Sequence, residues 1–160
     1  MIICGIDQST KKTGWSVFKN GKLIAYGNIP ISDKYKADVR MKLMTEKISD
    51  VLVGYVPDKV YFEQTFMKGG VNGFRTLCNL QGFIMYELQE RAISYQIVEE
   101  SKWAKNIDCC KGKREERKQL TLRTVETMFG IDLKGEDDVA DAIGIGWYGV
   151  CQERKKYGNS

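Results

Sequence analysis

The chain opens on a nearly unbroken apolar run, Met1-Ile2-Ile3-Cys4-Gly5-Ile6, which stops at Asp7 and gives way to the polar stretch Gln8-Ser9-Thr10-Lys11-Lys12. A run of this kind predicts a central strand covered on both faces. Asp7 is then a carboxylate held where the sheet opens to solvent. Segments 14–18 and 22–29 read as two further strands joined through Asn20-Gly21, a strong short hairpin signal, so three antiparallel strands begin the fold. Over 35–55 the apolar positions Val39, Leu43, Met44, Ile48, Val51, Leu52 and Tyr55 recur at three- and four-residue intervals and predict an amphipathic helix, stopped by Gly54 and Pro57. The short apolar segment 59–63 follows a crossover long enough to return it parallel to an earlier strand, and a place beside the first strand would set Glu63 next to Asp7.

The second half reads as a loop at 65–72, a helix over 73–91, a strand over 93–98, a short helical turn from Ser101 and a loop at 107–112. A helix over 113–129 follows, with Leu120, Val125 and Met128 inward and Gly130 as its stop, and a last helix spans 136–152. In the helix over 73–91, Phe74, Leu77, Cys78, Leu80, Ile84, Met85 and Leu88 form one stripe, while Phe83 and Tyr86 fall outside it and are available to another subunit or to the interior of a monomer. The expected architecture is α/β: a mixed five-stranded sheet flanked by helices, in a single domain over 1–152 with a polar tail at 153–160.

Composition narrows the chemistry. There is no histidine, and the five cysteines include no Cys-x-x-Cys pair, so a zinc site is not expected and any metal must take oxygen ligands, as magnesium and manganese do. No run approaches the length of a membrane span and no leader precedes the first strand, which predicts a cytoplasmic protein without membrane contact. The net charge of +4 is modest, but eight Lys or Arg fall between Lys102 and Arg123, just before the acidic Glu136-Asp137-Asp138. A basic surface beside a carboxylate cluster suits an enzyme acting on a polyanion, not one acting on a small molecule.

Four carboxylates carry the functional reading. An aspartate at a strand end commonly caps its own turn, and acidic residues at a helix start commonly pair with the helix dipole. The second explanation serves Glu136 and Asp137, which face elsewhere, but not Asp141 in Val-Ala-Asp-Ala-Ile-Gly-Ile-Gly. Asp138 and Asp141 are three apart and share one helix face. With Asp7 and Glu63 they supply what phosphodiester hydrolysis with two divalent ions requires.

These residues resemble the RuvC Holliday junction resolvases, which have a ribonuclease H-like fold. Gly5-Ile6-Asp7 with Thr13-Gly14-Trp15, then Phe62-Glu63-Gln64-Thr65-Phe66, then Asp138-Val139-Ala140-Asp141-Ala142 match the family's motifs in order and spacing over nearly the whole chain. The resemblance implies that Asp7, Glu63, Asp138 and Asp141 are catalytic ligands of two Mg2+ ions, with Mn2+ as a substitute. It implies that Phe66 helps to open bases at the centre of a four-way junction, near Lys68. It places phosphate-binding residues in the segment with Lys111, Lys113, Arg114, Arg117 and Lys118, of which Lys113 and Lys118 are the first choices. It further implies a homodimer through the second helix, with Phe74, Leu77, Leu80, Gly82 and Phe83 at the interface and Leu77 to Gly82 matching a Leu-x-x-x-x-Gly pattern. Gln8 stands where many bacterial members have proline, and 101–112 does not follow the bacterial pattern, so the chain is more similar to phage-encoded members acting on branched DNA in a host cell. Two rivals remain: a non-catalytic branched-DNA-binding protein, and a fragment of an actin-like or sugar-kinase phosphotransferase, which shares the Gly-Ile-Asp-Gln-Ser-Thr motif but needs a second domain.

Overall fold

The structure, a computed structural model, describes residues 1–67, 70–110 and 112–157, with Tyr157 described by its backbone alone. Five strands, β1 (Ile2–Asp7), β2 (Lys12–Lys19), β3 (Lys22–Pro30), β4 (Lys59–Glu63) and β5 (Ser94–Val98), form one sheet in the order β3-β2-β1-β4-β5. The first three are antiparallel, whereas β4 pairs parallel to β1 and β5 parallel to β4. The apolar opening run is therefore the central strand, and Ile3, Cys4 and Ile6 are buried. Asn20 and Gly21 both have positive φ, 52° and 77°, the backbone that a two-residue hairpin with the right twist needs.

Helices cover both faces. Helices α1 (Ala37–Tyr55) and α2 (Val71–Glu90) lie on the side of Cys4, Ile6, Val17, Val60 and Phe62, burying Met44, Ile48, Leu52, Leu80, Ile84 and Leu88 against them. On the other side Ile3, Phe18, Tyr61 and Val98 meet α3 (Glu100–Asn106), α4 (Arg114–Phe129) and α5 (Asp137–Tyr157). Helix α5 presses directly on β1 and β2. A Cβ on Gly5 would lie 2.3 Å from the Ala142 carbonyl oxygen, and one on Gly14 would lie 1.9 Å from that of Asp138. Ser16 Oγ donates to the Ala142 carbonyl at 2.7 Å, tying strand to helix. Small residues at these crossings bring the first turns of α5 against the end of β1.

Three expectations are corrected. Helix α5 continues to Tyr157 where a polar tail was expected from 153, because Glu153 is buried and accepts from Tyr61 Oη at 2.6 Å and Lys59 Nζ at 3.0 Å. In α4, Leu120 and Met128 are exposed and the buried positions are Thr121, Leu122 and Val125. The inward stripe includes a threonine, which a count of apolar residues passes over. In α2, Leu80 is fully buried in the chain's own core and so is unavailable to an interface.

Candidate active site

The parallel register of β1 and β4 pairs Ile6 with Phe62, so the next residues of the two strands, Asp7 and Glu63, end side by side. Their carboxyl groups are within hydrogen-bonding reach of each other. Asp138 and Asp141, on the first turns of α5, complete the group on the side where the glycine contacts hold that helix. All four line one cleft of about 230 Å³.

The electrostatics are those of crowded acids. Burial, followed by the neighbouring charges of Asp141, Glu63 and Asp138, pushes the Asp7 carboxyl well above the usual carboxylate range. Burial and then Glu63 raise Asp141 to about 7. Asp138 is raised by burial and by Asp137. Among the described residues, no Lys or Arg lies within ion-pair distance of Asp7 or Asp141. Oxygen donors alone, desolvated and mutually repelling, fit a hard divalent cation. Among the described residues no three such side chains enclose a single point as a ready-made cage. Magnesium keeps several water and substrate oxygens in its shell and does not require an all-protein cage.

Lysines border the acids. Lys118 of α4 pairs with Asp137, and Lys12 of β2 pairs with Glu136 and lies 3.5 Å from Asp138. Burial opposes the charge on Asp137, yet Lys118 holds it below its ordinary value. Glu136 also accepts from Asn28 Nδ2 at 3.0 Å. Glu136 and Asp137 thus anchor the rim to β2, β3 and α4, a role beyond dipole pairing. Backbone placement at Glu63 is fixed by two amides, Gln8 Nε2 at 2.5 Å and Gln81 Nε2 at 3.1 Å from its carbonyl oxygen.

Of the expected DNA-contacting residues, Phe66, Arg114, Arg117 and Lys118 line the cleft with the carboxylates. Phe66 is 41% exposed. Lys113 lies outside the cleft lining, exposed at the start of α4, where its backbone N–H donates to Glu116 Oε2 at 2.8 Å. Lys68 and Lys111 lie outside the described residues. Phe74 and Leu77, expected at a subunit interface, line the cleft, while Gly82 and Phe83 are exposed. Sequence reasoning passed over Glu100 and Lys12 and gave Trp103 no role. Trp103 is buried on the cleft wall, and its indole N–H has no partner among the described residues. Lys12 carried a signal, since it opens the strand that leads into the conspicuous Thr13-Gly14.

Residues 3–148 match the family model described as crossover junction endodeoxyribonuclease RuvC. A relative with that description from Ehrlichia canis is 26% identical over 149 residues, covering 91% of this chain and 93% of its own length. In structure, the chain is similar to Thermus thermophilus RuvC in complex with a Holliday junction substrate, with a TM-score of 0.79 at 17% identity over 97% of this chain and 96% of that one. It is also similar to the fowlpox virus resolvase in complex with Holliday junction DNA, with a TM-score of 0.65 at 19% identity, covering 96% and 99% of the two chains. These likenesses are of fold, whose five-stranded sheet and flanking helices are the ribonuclease H-like arrangement of the resolvases. Nucleases of the matched family are divalent-metal dependent. The chain belongs to the RuvC family of crossover junction endodeoxyribonucleases.

Proposed function

We propose that this chain resolves four-way DNA junctions in the cytoplasm as a homodimer, nicking two symmetric strands, with Asp7, Glu63, Asp138 and Asp141 holding two magnesium ions per site. Manganese is the expected substitute. One observation carries the reading: the strand-end pair and the α5 pair of acids line a single cleft that Arg114, Arg117, Lys118 and the exposed ring of Phe66 also line. When bound, the ions supply an activated water and stabilise the leaving oxygen. The chain's own residues do the rest. The carboxylates fix where the phosphodiester lies, Arg114 and Lys118 meet its neighbouring phosphates, and Phe66 offers a face on which an unpaired base stacks. A non-catalytic DNA binder has no use for four desolvated acids that repel one another.

The reading also calls for a second copy. Gly82 sits within α2, where a glycine costs about 1 kcal/mol relative to alanine, yet a Cβ there would meet nothing within 4 Å in this chain. Beside it Phe83 and Tyr86 are 50% and 56% exposed. A close approach by the same helix of a partner accounts for both.

The test is cleavage of an end-labelled four-way junction, a matched duplex and a fork, with magnesium or EDTA. Paired symmetric nicks are expected on the junction, with magnesium only. Asp7→Asn should lower cutting at least about 100-fold, beyond the 10–100-fold typical of losing an outer-shell partner, while junction binding persists. The same substitution should raise the melting temperature of the metal-free protein, because it removes a charge that burial and three neighbours oppose. Tight junction binding without cutting in either magnesium or manganese would favour the binding-module reading.

A further inference from the structure

Strand β4 pairs with β1 as far as Phe62 and Ile6, so the carbonyl of Glu63 lies one residue past the ladder. Side-chain amides take over there, Gln8 Nε2 donating at 2.5 Å and Gln81 Nε2 at 3.1 Å. Gln81 uses the other end of its amide as well: its Oε1 accepts from Thr65 Oγ1 at 3.3 Å. We infer that Gln81 is a positioning residue, one amide on α2 that sets both the strand end carrying Glu63 and the start of the loop carrying Phe66. Gln81 is not among the residues that line the cleft, so it acts through these two. The inference rests on the function proposed above and names a residue on which that site depends.

The anchor is rigid. Leu80 before Gln81 and Ile84 three residues after it are fully buried in the core, so this part of α2 has little room to shift. Gln81 itself is half-buried, and an amide at the edge of a core is costly unless both its ends are partnered. Here both are, at residues two apart on the chain leaving β4. Thr65 gives its one proton to Gln81 and can still accept from Cys78, whose Sγ stands 3.5 Å away, three residues before Gln81 and on the same face of α2. Gln64, between the two gripped residues, is tied to β5, its N–H donating to the Val98 carbonyl at 2.8 Å. The exit of β4 is therefore held by α2 and by β5 together. Two cleft residues depend on it: Glu63, whose carboxyl meets that of Asp7, and Phe66, directly after Thr65. Residues of a reacting site have to be held within about 0.5 Å of the productive geometry, and hydrogen bonds one layer out do the holding. Gln8 shares the first task only, since its Oε1 has no partner among the described residues. Gln81 joins the first task to the second.

The experiment uses the intact protein and two binding measurements: magnesium by calorimetry without DNA, and a four-way junction in EDTA at one fixed salt concentration. Gln81→Met keeps the length of the side chain and removes the amide, so it should weaken both by roughly three- to tenfold, the span that one net hydrogen bond covers. Gln81→Asn keeps the amide but not its reach, and should repeat both losses even where the methionine variant does not fold. Thr65→Val removes only the hydroxyl and should weaken the junction alone, whereas Gln8→Met should weaken magnesium alone. General loosening of the fold would not divide the two readouts in this way. Unchanged magnesium affinity in both Gln81 variants, or losses in Thr65→Val and Gln8→Met that do not divide, would overturn the inference and leave the resolvase reading standing. A wild type that binds junctions but neither magnesium nor manganese would overturn the resolvase reading and the inference with it.

Discussion

At the scale of single residues, the molecule treats its buried carboxylates in two opposite ways. Glu153, near the end of α5, is enclosed as deeply as any acid in the chain, yet Tyr61 Oη, Lys59 Nζ and Lys156 Nζ all reach its Oε1 at 2.6, 3.0 and 3.2 Å. Burial alone would raise its pKa, but these donors override it and hold the group at about 2, against an ordinary 4.5. A depressed folded-state pKa contributes stability that is fully present above about pH 4.5 and lost as the pH falls toward 2. The contribution at pH 7 is roughly 2–3 kcal/mol, after discounting for the exposure of Lys156. Urea unfolding of Glu153→Gln at pH 7 should show a loss of that size, and the gap to wild type should fall by more than half by pH 3. A gap that stays constant across that range would mean the loss is one of packing. Asp7 and Asp141, two of the acids we propose as metal ligands, are by contrast raised by burial and by neighbouring carboxylates. The same residue type is stabilised where donors surround it and destabilised where other acids do.

Elements decide where those acids go, and the contact of α5 with the sheet decides most. Gly5 faces the helix backbone, where an added Cβ would stand 2.3 Å from the Ala142 oxygen and 2.4 Å from the Gly146 nitrogen. Backbone atoms of a central strand and a long helix have little room to yield, so Gly5→Ala should cost at least about 3 kcal/mol, the upper end of overpacking. Cutting should fall with it, because α5 carries Asp138 and Asp141. Urea midpoints measure the first effect and junction cleavage the second; an unchanged midpoint would refute the close contact. This element level is also where the sequence was most legible. Strand β4 occupies 59–63 as its apolar pattern predicts, and the crossover length permits its parallel return, while the pairing with β1 that brings Glu63 to Asp7 is seen in the fold. Legibility fails where a polar residue lies inside or an apolar one outside. Thr121 faces inward in α4 and shifts the expected stripe, and Glu153 extends α5 past the expected start of a tail. It fails again where two distant segments meet, as at Lys12 with Glu136 and Lys118 with Asp137, because charge spacing along a chain does not show which ion pairs the fold will close.

For the whole molecule, the paired cutting we propose needs two sites held at a fixed separation, and α2 is the element placed to hold them. Its first turns stand at the cleft through Phe74 and Leu77, its middle is core through Leu80 and Ile84, and its outer side shows Gly82, Phe83 and Tyr86. A helix that touches the catalytic cleft on one side and a second copy on the other would fix the separation of two active sites. Gly82→Ala separates the effects of chain and assembly. Within one chain the new methyl group meets nothing within 4 Å, so the isolated subunit should gain up to about 1 kcal/mol from helix propensity. Between two copies, the same methyl group would force apart helices that a glycine lets approach. Sedimentation equilibrium should then show dimer association weakened at least about tenfold, which is ~1.4 kcal/mol, while the dilute monomer melts higher. Junction cutting should shift from paired nicks toward single nicks, since each site still holds its carboxylates. A variant that melts higher and dimerises as wild type does would remove α2 from the interface, and the symmetric cut would then need a different surface to align its two sites.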